Sequence, residues 1–175
     1  MTVRNYKELL KKITTMIFDY DGVFTDGKII LTEAGEQLRT ANVKDGYALQ
    51  LAVKKGYRIA VISGGTSDAI VTRLHNLKIN DVFIKVDHKI KVYKEYLKKH
   101  NLIPEEVLFM GDDIPDLQIM KEAGVVICPA DAAEEVKALS HHISHLKGGE
   151  GCVRDIIEQV LKVQGNWLDD DAFIW

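Results

Sequence analysis

The chain is poor in the residue types that mark several special classes of protein. Its 175 residues include two cysteines and three prolines. Cys128 and Cys152 lie far apart and form no metal-type pair, so we expect neither a disulfide framework nor a zinc site. No apolar run approaches the ~20 residues that a membrane-spanning helix needs, and the polar stretch 1–12 reads as an amphipathic helix rather than a signal peptide. These absences predict a cytoplasmic protein with no membrane partner.

The chain also lacks a strong excess of either charge. It carries 23 basic and 26 acidic residues, for a net charge of −3, and the basic residues are scattered. Nucleic acid is therefore not expected as a partner. A hydrophobic content of 46% and a charged content of 28% are globular values, and a chain of this length can bury a core of its own.

What the sequence does contain is a regular alternation of short apolar strands and helices. The fully apolar runs 59–62 and 125–127 are typical of central strands in a parallel sheet. The alternation predicts an α/β fold with a doubly wound, Rossmann-like parallel sheet and right-handed crossovers. One helix is expected to begin at Asp45 as its N-cap.

The segment 28–40 breaks this alternation. Two apolar stretches flank Gly35 and predict a β-hairpin, which would be either a surface flap or an oligomer contact. We expect one domain over 1–163 that includes this hairpin, and a C-terminal tail over 164–175. Both tryptophans lie in the tail, and because large aromatic side chains gain much from burial, we expect the tail to dock on its own or a neighbouring subunit.

Two carboxylates follow the first predicted strand directly. Asp19 and Asp21 come after the apolar run 16–18 and before Gly22. Like charges this close repel, and their burial is costly unless a cation or hydrogen bonds compensate. A nucleophile beside a proton-transferring group would justify that cost, and Gly22 lets the chain turn away and leaves room for a phosphate.

Three further acids follow a later strand at 107–110. They are Asp112, Asp113 and Asp116. Because the carboxyl ends of parallel strands lie side by side in an open sheet, all five acids are expected at one edge. Five acids at this edge predict a divalent metal ion, and Mg²⁺ takes one or two carboxylates together with waters and phosphate oxygens.

Phosphate-binding groups are found in the same order along the chain. Ser63 and Gly64 follow the strand 59–62 and offer a hydroxyl and a backbone N–H. Lys89 lies at the start of a predicted helix and can add a positive charge to the same phosphoryl group.

Taken together, these four segments resemble the four motifs of the haloacid dehalogenase superfamily of phosphohydrolases. The resemblance implies that Asp19 is the nucleophile, forming an aspartyl-phosphate, and that Asp21 is the general acid and then the general base. It implies that Ser63, Gly64 and Lys89 bind the phosphate.

The resemblance also implies a metal site. Mg²⁺ would be held by the Asp19 carboxylate, the Asp21 backbone carbonyl and Asp112. Asp113 and Asp116 would lie behind these ligands and orient them.

The chain has no room for the cap domain that many members of this superfamily insert. The gaps between motifs hold only the hairpin, two helices and a strand, whereas domains rarely fall below ~50 residues. Together with the segments 21–27, 44–46, 111–113 and 148–151, this resembles a small capless, tetrameric subgroup. That subgroup removes the phosphate from 3-deoxy-D-manno-octulosonate 8-phosphate, a step of lipopolysaccharide precursor synthesis. The resemblance implies a phosphorylated sugar acid as substrate and a homotetramer formed through the 28–40 hairpin.

The substrate contacts suggested by this resemblance are Asp45, Gly46 and Gly65. Gly65 stands where the eight-carbon enzymes often carry Arg and where a sister group acting on nine-carbon ulosonate 9-phosphates carries Glu, so the nine-carbon substrate stays open. Two more hypotheses are a phosphatase of macromolecules that uses the open site as a monomer, and a phospho-receiver signalling domain. The receiver lacks an acid at the position of Asp21.

Two further features have no assigned role at this point. His141, His142 and His145 form a trio without a fourth ligand, in a segment that reads as a late strand and loop, and we do not expect a metal site there. The resemblance implies that the tail folds over an active site, with the glycine-rich segment 148–151 as its hinge.

Overall fold

The computed structural model describes residues 5–174. The strands are β1 (Thr15–Phe18), β2 (Ile30–Leu31), β3 (Gln37–Leu38), β4 (Arg58–Ile62), β5 (Asp81–Phe83), β6 (Val107–Met110), β7 (Val125–Cys128) and β8 (His142–Ile143). The α-helices are α1 (Tyr6–Leu10), α2 (Val43–Lys54), α3 (Asp68–Asn76), α4 (Lys89–His100), α5 (Leu117–Met120), α6 (Glu134–Leu139) and α7 (Cys152–Val163). None of the helices in this part of the chain is long and apolar enough to cross a membrane.

Six of the strands form one parallel sheet in the order β5-β4-β1-β6-β7-β8. Strand β1 lies at the centre, with Phe18 in register with Val61 of β4 and Met110 of β6. The predicted doubly wound α/β sheet is therefore confirmed. This order places the ends of β1, β4 and β6 side by side, which is the position of ligand crevices in such sheets.

Helices cover both faces of the sheet. Along β1, whose residues are all buried, Met16 and Phe18 point into the core beneath α1, α2, α3 and α7. Ile17 points to the opposite core, beneath α4, α5 and α6. Because β1 is buried on both faces and paired on both edges, the loop that follows it starts from a fixed position.

The hairpin predicted over 28–40 is present but short. Its two strands pair only through Ile30 with Leu38 and Leu31 with Gln37, and Gly35 takes a φ of 82° in the turn. The hairpin does not join the main sheet. Its apolar side chains stay exposed, Leu31 to 73%.

The start of α2 differs from the prediction. The N-cap is Asn42, whose side-chain oxygen accepts a hydrogen bond from the Lys44 backbone N–H at 2.9 Å. Asp45 lies inside the first turn and accepts a 2.7 Å bond from the Arg154 backbone N–H in α7. Asp45 therefore joins two helices instead of starting one. The helix predicted over 1–12 is found as α1, which spans Tyr6–Leu10. Residues 1–4 lie outside the described part of the chain.

Candidate active site

A cavity of about 440 Å³ opens at the carboxyl ends of β1, β4 and β6. Predicted site residues from all four motifs line it together: Asp19, Asp21, Ser63, Gly64, Gly65, Lys89, Asp112, Asp113 and Asp116. They come from the loops after three adjacent strands and from the first turn of α4, as the strand order requires. Nearly all of the predicted site residues are thus gathered at one place.

Asp19 lies at the bottom of the cavity and is buried. Its Oδ1 is 2.9 Å from Lys89 Nζ, and the same ammonium is 2.7 Å from Asp116 Oδ1. Burial and the nearby Asp116 raise the pKa of Asp19 to about 7, against the opposing effect of Lys89. Burial acts to lower the pKa of Lys89, but the two aspartates raise it above its ordinary value. Lys89 is therefore held as a cation between two carboxyl groups.

Asp112 completes a group of three carboxylates. One oxygen each of Asp19, Asp112 and Asp116 lies within 4.8 Å of the other two. Asp112 Oδ1 is buried without a hydrogen-bond partner, and burial, followed by the charges of Asp19 and Asp116, raises the pKa of Asp112 to about 8. When all three are ionised, three carboxylates against one lysine leave an excess of negative charge, which a cation beside the orphaned Asp112 oxygen would compensate. The donor set fits a hard divalent ion such as Mg²⁺.

Asp116 also fixes the loop that carries Asp112. Its Oδ2 accepts backbone hydrogen bonds from Asp112 at 3.0 Å and from Asp113 at 3.5 Å. Asp113 is exposed and accepts from the Ile114 N–H at 2.8 Å, capping a short 3₁₀ turn. Asp116, which is buried, and Asp113, which is exposed, therefore both hold the loop that carries Asp112 in place.

The loop 21–27 turns tightly beside these carboxylates. Gly22 has a φ of 82°, and a Cβ there would lie 2.0 Å from Asp112 Oδ2. The buried Thr25 hydroxyl accepts from the Gly22 and Gly27 N–H groups, both at 3.2 Å. A Cβ at Gly148 would lie 2.0 Å from the Gly22 carbonyl oxygen. The glycine-rich segment 148–151 thus packs on this loop and supports the site, and the helix α7 separates it from the tail.

Asp21 projects from the same loop and forms an ion pair that the motifs did not predict. Arg39 Nε donates to Asp21 Oδ1 at 2.7 Å, and Arg39 Nη2 donates to Asp21 Oδ2 at 3.1 Å. The arginine lies at the end of the hairpin, in a stretch of exposed polar residues with no sequence pattern that marks a functional position. No signal in the sequence pairs residues 18 positions apart in this way.

Ser63 and Gly64 line the same cavity as the acids. Ser63 is buried, and its Oγ accepts from the Gly65 backbone N–H at 3.0 Å. Lys89 lies nearby at the start of α4. A hydroxyl, backbone N–H groups and an ammonium thus face a space bounded by Asp19, an arrangement that suits a phosphoryl group.

Two of the predicted substrate contacts lie elsewhere. Asp45 and Gly46 do not line the cavity. Asp45 is buried beside α7, where burial raises its pKa to about 6, and Gly46 faces Arg73 and Leu77 of the α3 region. They are not among the residues that this cavity offers to a substrate.

The histidine trio is spread over separate interactions. His141 Nδ1 accepts from the Val126 N–H at 3.0 Å, and His142 stacks on Tyr6 at 4.2 Å between ring centroids. His145 is exposed. Within residues 5–174, the three form no common metal-ligand group.

The tail packs on its own subunit. Trp167 is 7% exposed and belongs to the core that contains α2 and α7, and Tyr47 donates a hydrogen bond to the Ala172 carbonyl. Residues 164–174 of the tail do not line the active-site cavity. Trp175, which the sequence also singled out, lies outside the described residues. The docking is thus in cis, against α2.

A buried aspartate, a lysine, a hydroxyl and two further carboxylates at the carboxyl ends of a doubly wound sheet define a class of protein. They mark an α/β enzyme that acts on a phosphoryl group with a divalent cation. A model of the haloacid dehalogenase-like hydrolase family matches residues 42–130, and the chain belongs to this family. The prediction of a hydrolase of this superfamily is confirmed.

The particular relatives are phosphatases of one kind. The chain is 31% identical to the 3-deoxy-D-manno-octulosonate 8-phosphate phosphatase KdsC of Salmonella typhi, over 91% of this chain and 85% of the relative. The crystal structure of the Yersinia pestis phosphatase of the same name has a TM-score of 0.90 and 29% identity, covering 93% of this chain and 88% of that one. The predicted resemblance to this subgroup is confirmed.

A further solved structure contains ligands. The Moraxella catarrhalis phosphatase of that name, in complex with a magnesium ion, a phosphate ion and a KDO molecule, has a TM-score of 0.89 and 32% identity. The match covers 95% of this chain and 94% of that one.

Proposed function

We propose that this chain is a Mg²⁺-dependent phosphatase that hydrolyses 3-deoxy-D-manno-octulosonate 8-phosphate to the free sugar acid and phosphate. The observation that carries the proposal is the buried Asp19, held 2.9 Å from Lys89 at the edge where Ser63 and Asp112 meet. The relatives that bear this substrate in their names match the chain over nearly its whole length.

In this proposal Asp19 attacks phosphorus and forms an aspartyl-phosphate, while the sugar leaves. Asp21, two residues on, gives a proton to the leaving alkoxide oxygen and later takes one from the water that hydrolyses the intermediate. Lys89 and Ser63 bind the phosphate oxygens, with the backbone N–H of Gly64. Lys89 also screens the charge of Asp19 from the approaching phosphate.

Magnesium would be held by the carboxylates of Asp19 and Asp112 and by the backbone carbonyl of Asp21. When bound, it neutralises charge on the phosphoryl oxygens. Asp116 fits a supporting role, because its two oxygens already accept hydrogen bonds from Lys89 and from the Asp112 loop. Asp113 supports that loop from the solvent side.

The quaternary proposal rests on the hairpin. Its side chains Ile29, Ile30, Leu31 and Leu38 are between 45% and 73% exposed, and an apolar two-stranded sheet is marginal in water when it stands alone. Four such hairpins around a symmetry axis would bury this surface and cover the open sites, which have no cap domain. We therefore propose a homotetramer. Within each subunit, 1–163 would be the catalytic domain and 164–175 an appended tail.

We also propose a cytoplasmic location, supported by two cysteines that are both free and buried. No nucleic-acid or membrane partner is proposed.

The test is phosphate release with Mg²⁺ from a small panel: octulosonate 8-phosphate, a nonulosonate 9-phosphate, common hexose phosphates and a phosphopeptide. We expect the eight-carbon acid to be preferred by more than about tenfold in kcat/KM, equivalent to about 1.4 kcal/mol in the transition state. Preference for the nine-carbon acid would keep the chemistry and change the substrate. Preference for the phosphopeptide would reject the small-molecule proposal, and light scattering that showed a monomer would reject the tetramer.

A further inference from the structure

Arg39 differs from the rest of the hairpin that carries it. Residues 33–38 and Thr40 are exposed, whereas the Arg39 side chain is 10% exposed. Its guanidinium turns back onto the body of the protein and binds Asp21 through two parallel hydrogen bonds, at 2.7 and 3.1 Å. Bidentate pairs of this kind are among the stronger polar interactions in proteins. Both carboxylate oxygens of Asp21 are therefore occupied in the free protein.

This occupancy conflicts with the role proposed for Asp21. A carboxyl group that passes a proton to the leaving oxygen must present an oxygen to it, and must then present one to water. The guanidinium of Arg39 accepts no hydrogen bond and donates to both oxygens, and the Thr25 hydroxyl donates to Oδ1 at 3.5 Å, so a leaving oxygen or a water must compete with these donors for the carboxylate. We therefore expect proton transfer to be faster once Arg39 has left Asp21. An arginine that is largely buried and has lost its partner is costly, so its release needs a replacement anion.

A place for such an anion lies beside the pair. Arg39 also lines a second cavity, of about 250 Å³, together with Arg73, Tyr20 and Ser67. Two guanidinium groups and no acidic residue line this cavity. Arg39 thus lies between two cavities. One is the candidate phosphate site, which Asp21 lines, and the other is lined by two guanidinium groups, whose positive charge favours an anion.

Gly65 leaves the space next to the pair open. A Cβ at this position would lie 3.2 Å from Asp21 Oδ2 and 3.9 Å from Arg39 Nη2. A longer side chain here would enter the space beside the ion pair. Because glycine places no group there, Arg39 is the charged side chain best placed to meet a substrate that extends from the phosphate site past residue 65.

We propose that Arg39 is a substrate-recognition residue that exchanges one carboxylate for another. It binds Asp21 in the free enzyme, and it moves to the carboxylate of the sugar acid when the phosphate enters the active-site cavity. The exchange replaces one bidentate pair with another, and it frees Asp21 for proton transfer. A phosphate ester without a carboxylate offers no exchange partner and leaves Asp21 bound. This inference rests on the proposed function, because it takes the substrate to be a phosphorylated sugar acid.

The test uses Arg39→Gln in the full-length protein with Mg²⁺ and two substrates, octulosonate 8-phosphate and p-nitrophenyl phosphate. We expect kcat/KM for the sugar acid to fall at least about tenfold, the effect of losing a hydrogen bond to a charged group. For p-nitrophenyl phosphate we expect a rise, because Asp21 is no longer held. Arg39→Lys keeps the charge without the two-pronged geometry and should give an intermediate selectivity. Arg58→Gln is the matched control, because it breaks an Arg–Asp pair (Arg58–Asp81, 3.4 Å) at the opposite end of β4.

Equal losses on both substrates would overturn the exchange and leave Arg39 as a residue that only positions Asp21. Unchanged kinetics on both would also overturn it.

A second measurement separates the exchange from the substrate assignment. Acetate or pyruvate carries a carboxylate without a phosphate. Added to the wild-type enzyme, either should raise p-nitrophenyl phosphate turnover by drawing Arg39 from Asp21, and the Arg39→Gln enzyme should show no such activation. Activation in a protein that does not prefer the octulosonate would support the exchange and reject the proposed substrate. Absence of activation in a protein that does prefer it would overturn the exchange and keep the substrate.

Discussion

Two lysines in this molecule each bind a pair of aspartates, one pair at the candidate active site and one pair in the C-terminal tail. At the site, Lys89 Nζ lies 2.9 Å from Asp19 and 2.7 Å from Asp116. All three side chains are at most 10% exposed. We call these residues the buried group.

The second lysine is Lys55, at the end of α2. Its ammonium binds Asp169 and Asp171 of the tail. The two carboxylates are 45% and 58% exposed, so water solvates them and salt screens them. We call these residues the tail group.

The two groups thus contain the same types of side chain, one lysine and two aspartates, but they differ in the free-energy cost of burying their charges. Removing charges from water costs more than the pairing returns unless the geometry is favourable, and Asp112 adds a further buried carboxylate with an unpartnered oxygen. A cluster that is costly to fold and lies in a cleft is a functional-site arrangement. In the tail group the Lys55 side chain is 12% exposed, but both carboxylates stay solvated, so the cost of this group is smaller.

The largest expected effect comes from neutralising one member of each group. Asp19→Asn keeps the shape of the side chain but removes the proposed nucleophile, so kcat should fall by about 10³ or more while the folded structure is kept. The matched variant Asp171→Asn should leave kcat unchanged. Phosphate release and circular dichroism measure the two properties. Appreciable residual turnover by Asp19→Asn would exclude Asp19 as the nucleophile.

The second expected effect comes from removing the lysines. Lys89→Met leaves Asp19 and Asp116 facing each other in a buried place, and breaking a buried ion pair typically costs about 3–5 kcal/mol. We expect a clear loss of stability at pH 8 in the absence of metal. We also expect a loss of activity, because the variant lacks the proposed phosphate ligand. Urea denaturation of wild type and variant measures the first. If Lys89→Met were as stable as wild type at pH 8, the repulsion assigned to the buried group would be wrong.

The third effect concerns pH and magnesium. The raised pKa values of Asp19, to about 7, and Asp112, to about 8, mean that the metal-free folded state holds protons that the unfolded chain has already lost. Stability from these groups is therefore full at low pH and decreases as the pH rises from about 4 through 8. Because a divalent cation binds the deprotonated carboxylates, Mg²⁺ should raise Tm more at pH 8 than at pH 5.

The control for this effect is Asp112→Asn, which removes one of the raised carboxyl groups and one proposed ligand. Its Tm without metal should fall less between pH 5 and pH 8 than that of wild type, and its response to Mg²⁺ should be smaller. EDTA should silence the wild-type enzyme reversibly. A Tm that responded to Mg²⁺ equally at both pH values would separate metal binding from these carboxylates.

The buried group was predictable from the sequence and the tail group was not, for a physical reason. Asp19, Lys89 and Asp116 each follow a strand or begin a helix, and the order of a parallel sheet fixes where such ends meet. Lys55 and the tail aspartates meet because the tail packs against α2. No hydrophobic periodicity and no sequence motif specifies that contact. The sequence predicted that the tail docks, from its tryptophans, but not which surface receives it.

The same reasoning explains the error at the start of α2 and the residue that was missed. Asp45 and Asn42 are both good N-cap residues, and the choice between them depends on α7, whose Arg154 N–H takes the Asp45 carboxylate. Arg39 reaches Asp21 because the hairpin folds back onto the body of the protein, and local sequence patterns do not specify this position. The strand and helix positions came from local patterns, whereas these contacts are tertiary.

The smallest expected effect is in the tail group. Lys55→Met removes the cation that lowers the pKa of Asp171 and should therefore loosen the tail. We expect no change in kcat/KM for any substrate, because residues 164–174 do not line the active-site cavity. Trp167, buried against α2 and α7, reports the loosening through its fluorescence and through faster proteolysis after residue 164. Lys162→Met, which breaks an exposed pair with Glu158 in α7, is the control for loss of a surface charge. A fall in kcat/KM with Lys55→Met but not with Lys162→Met would mean that the tail takes part in catalysis, in cis or across the proposed tetramer, and that the two groups are not as independent as their burial indicates.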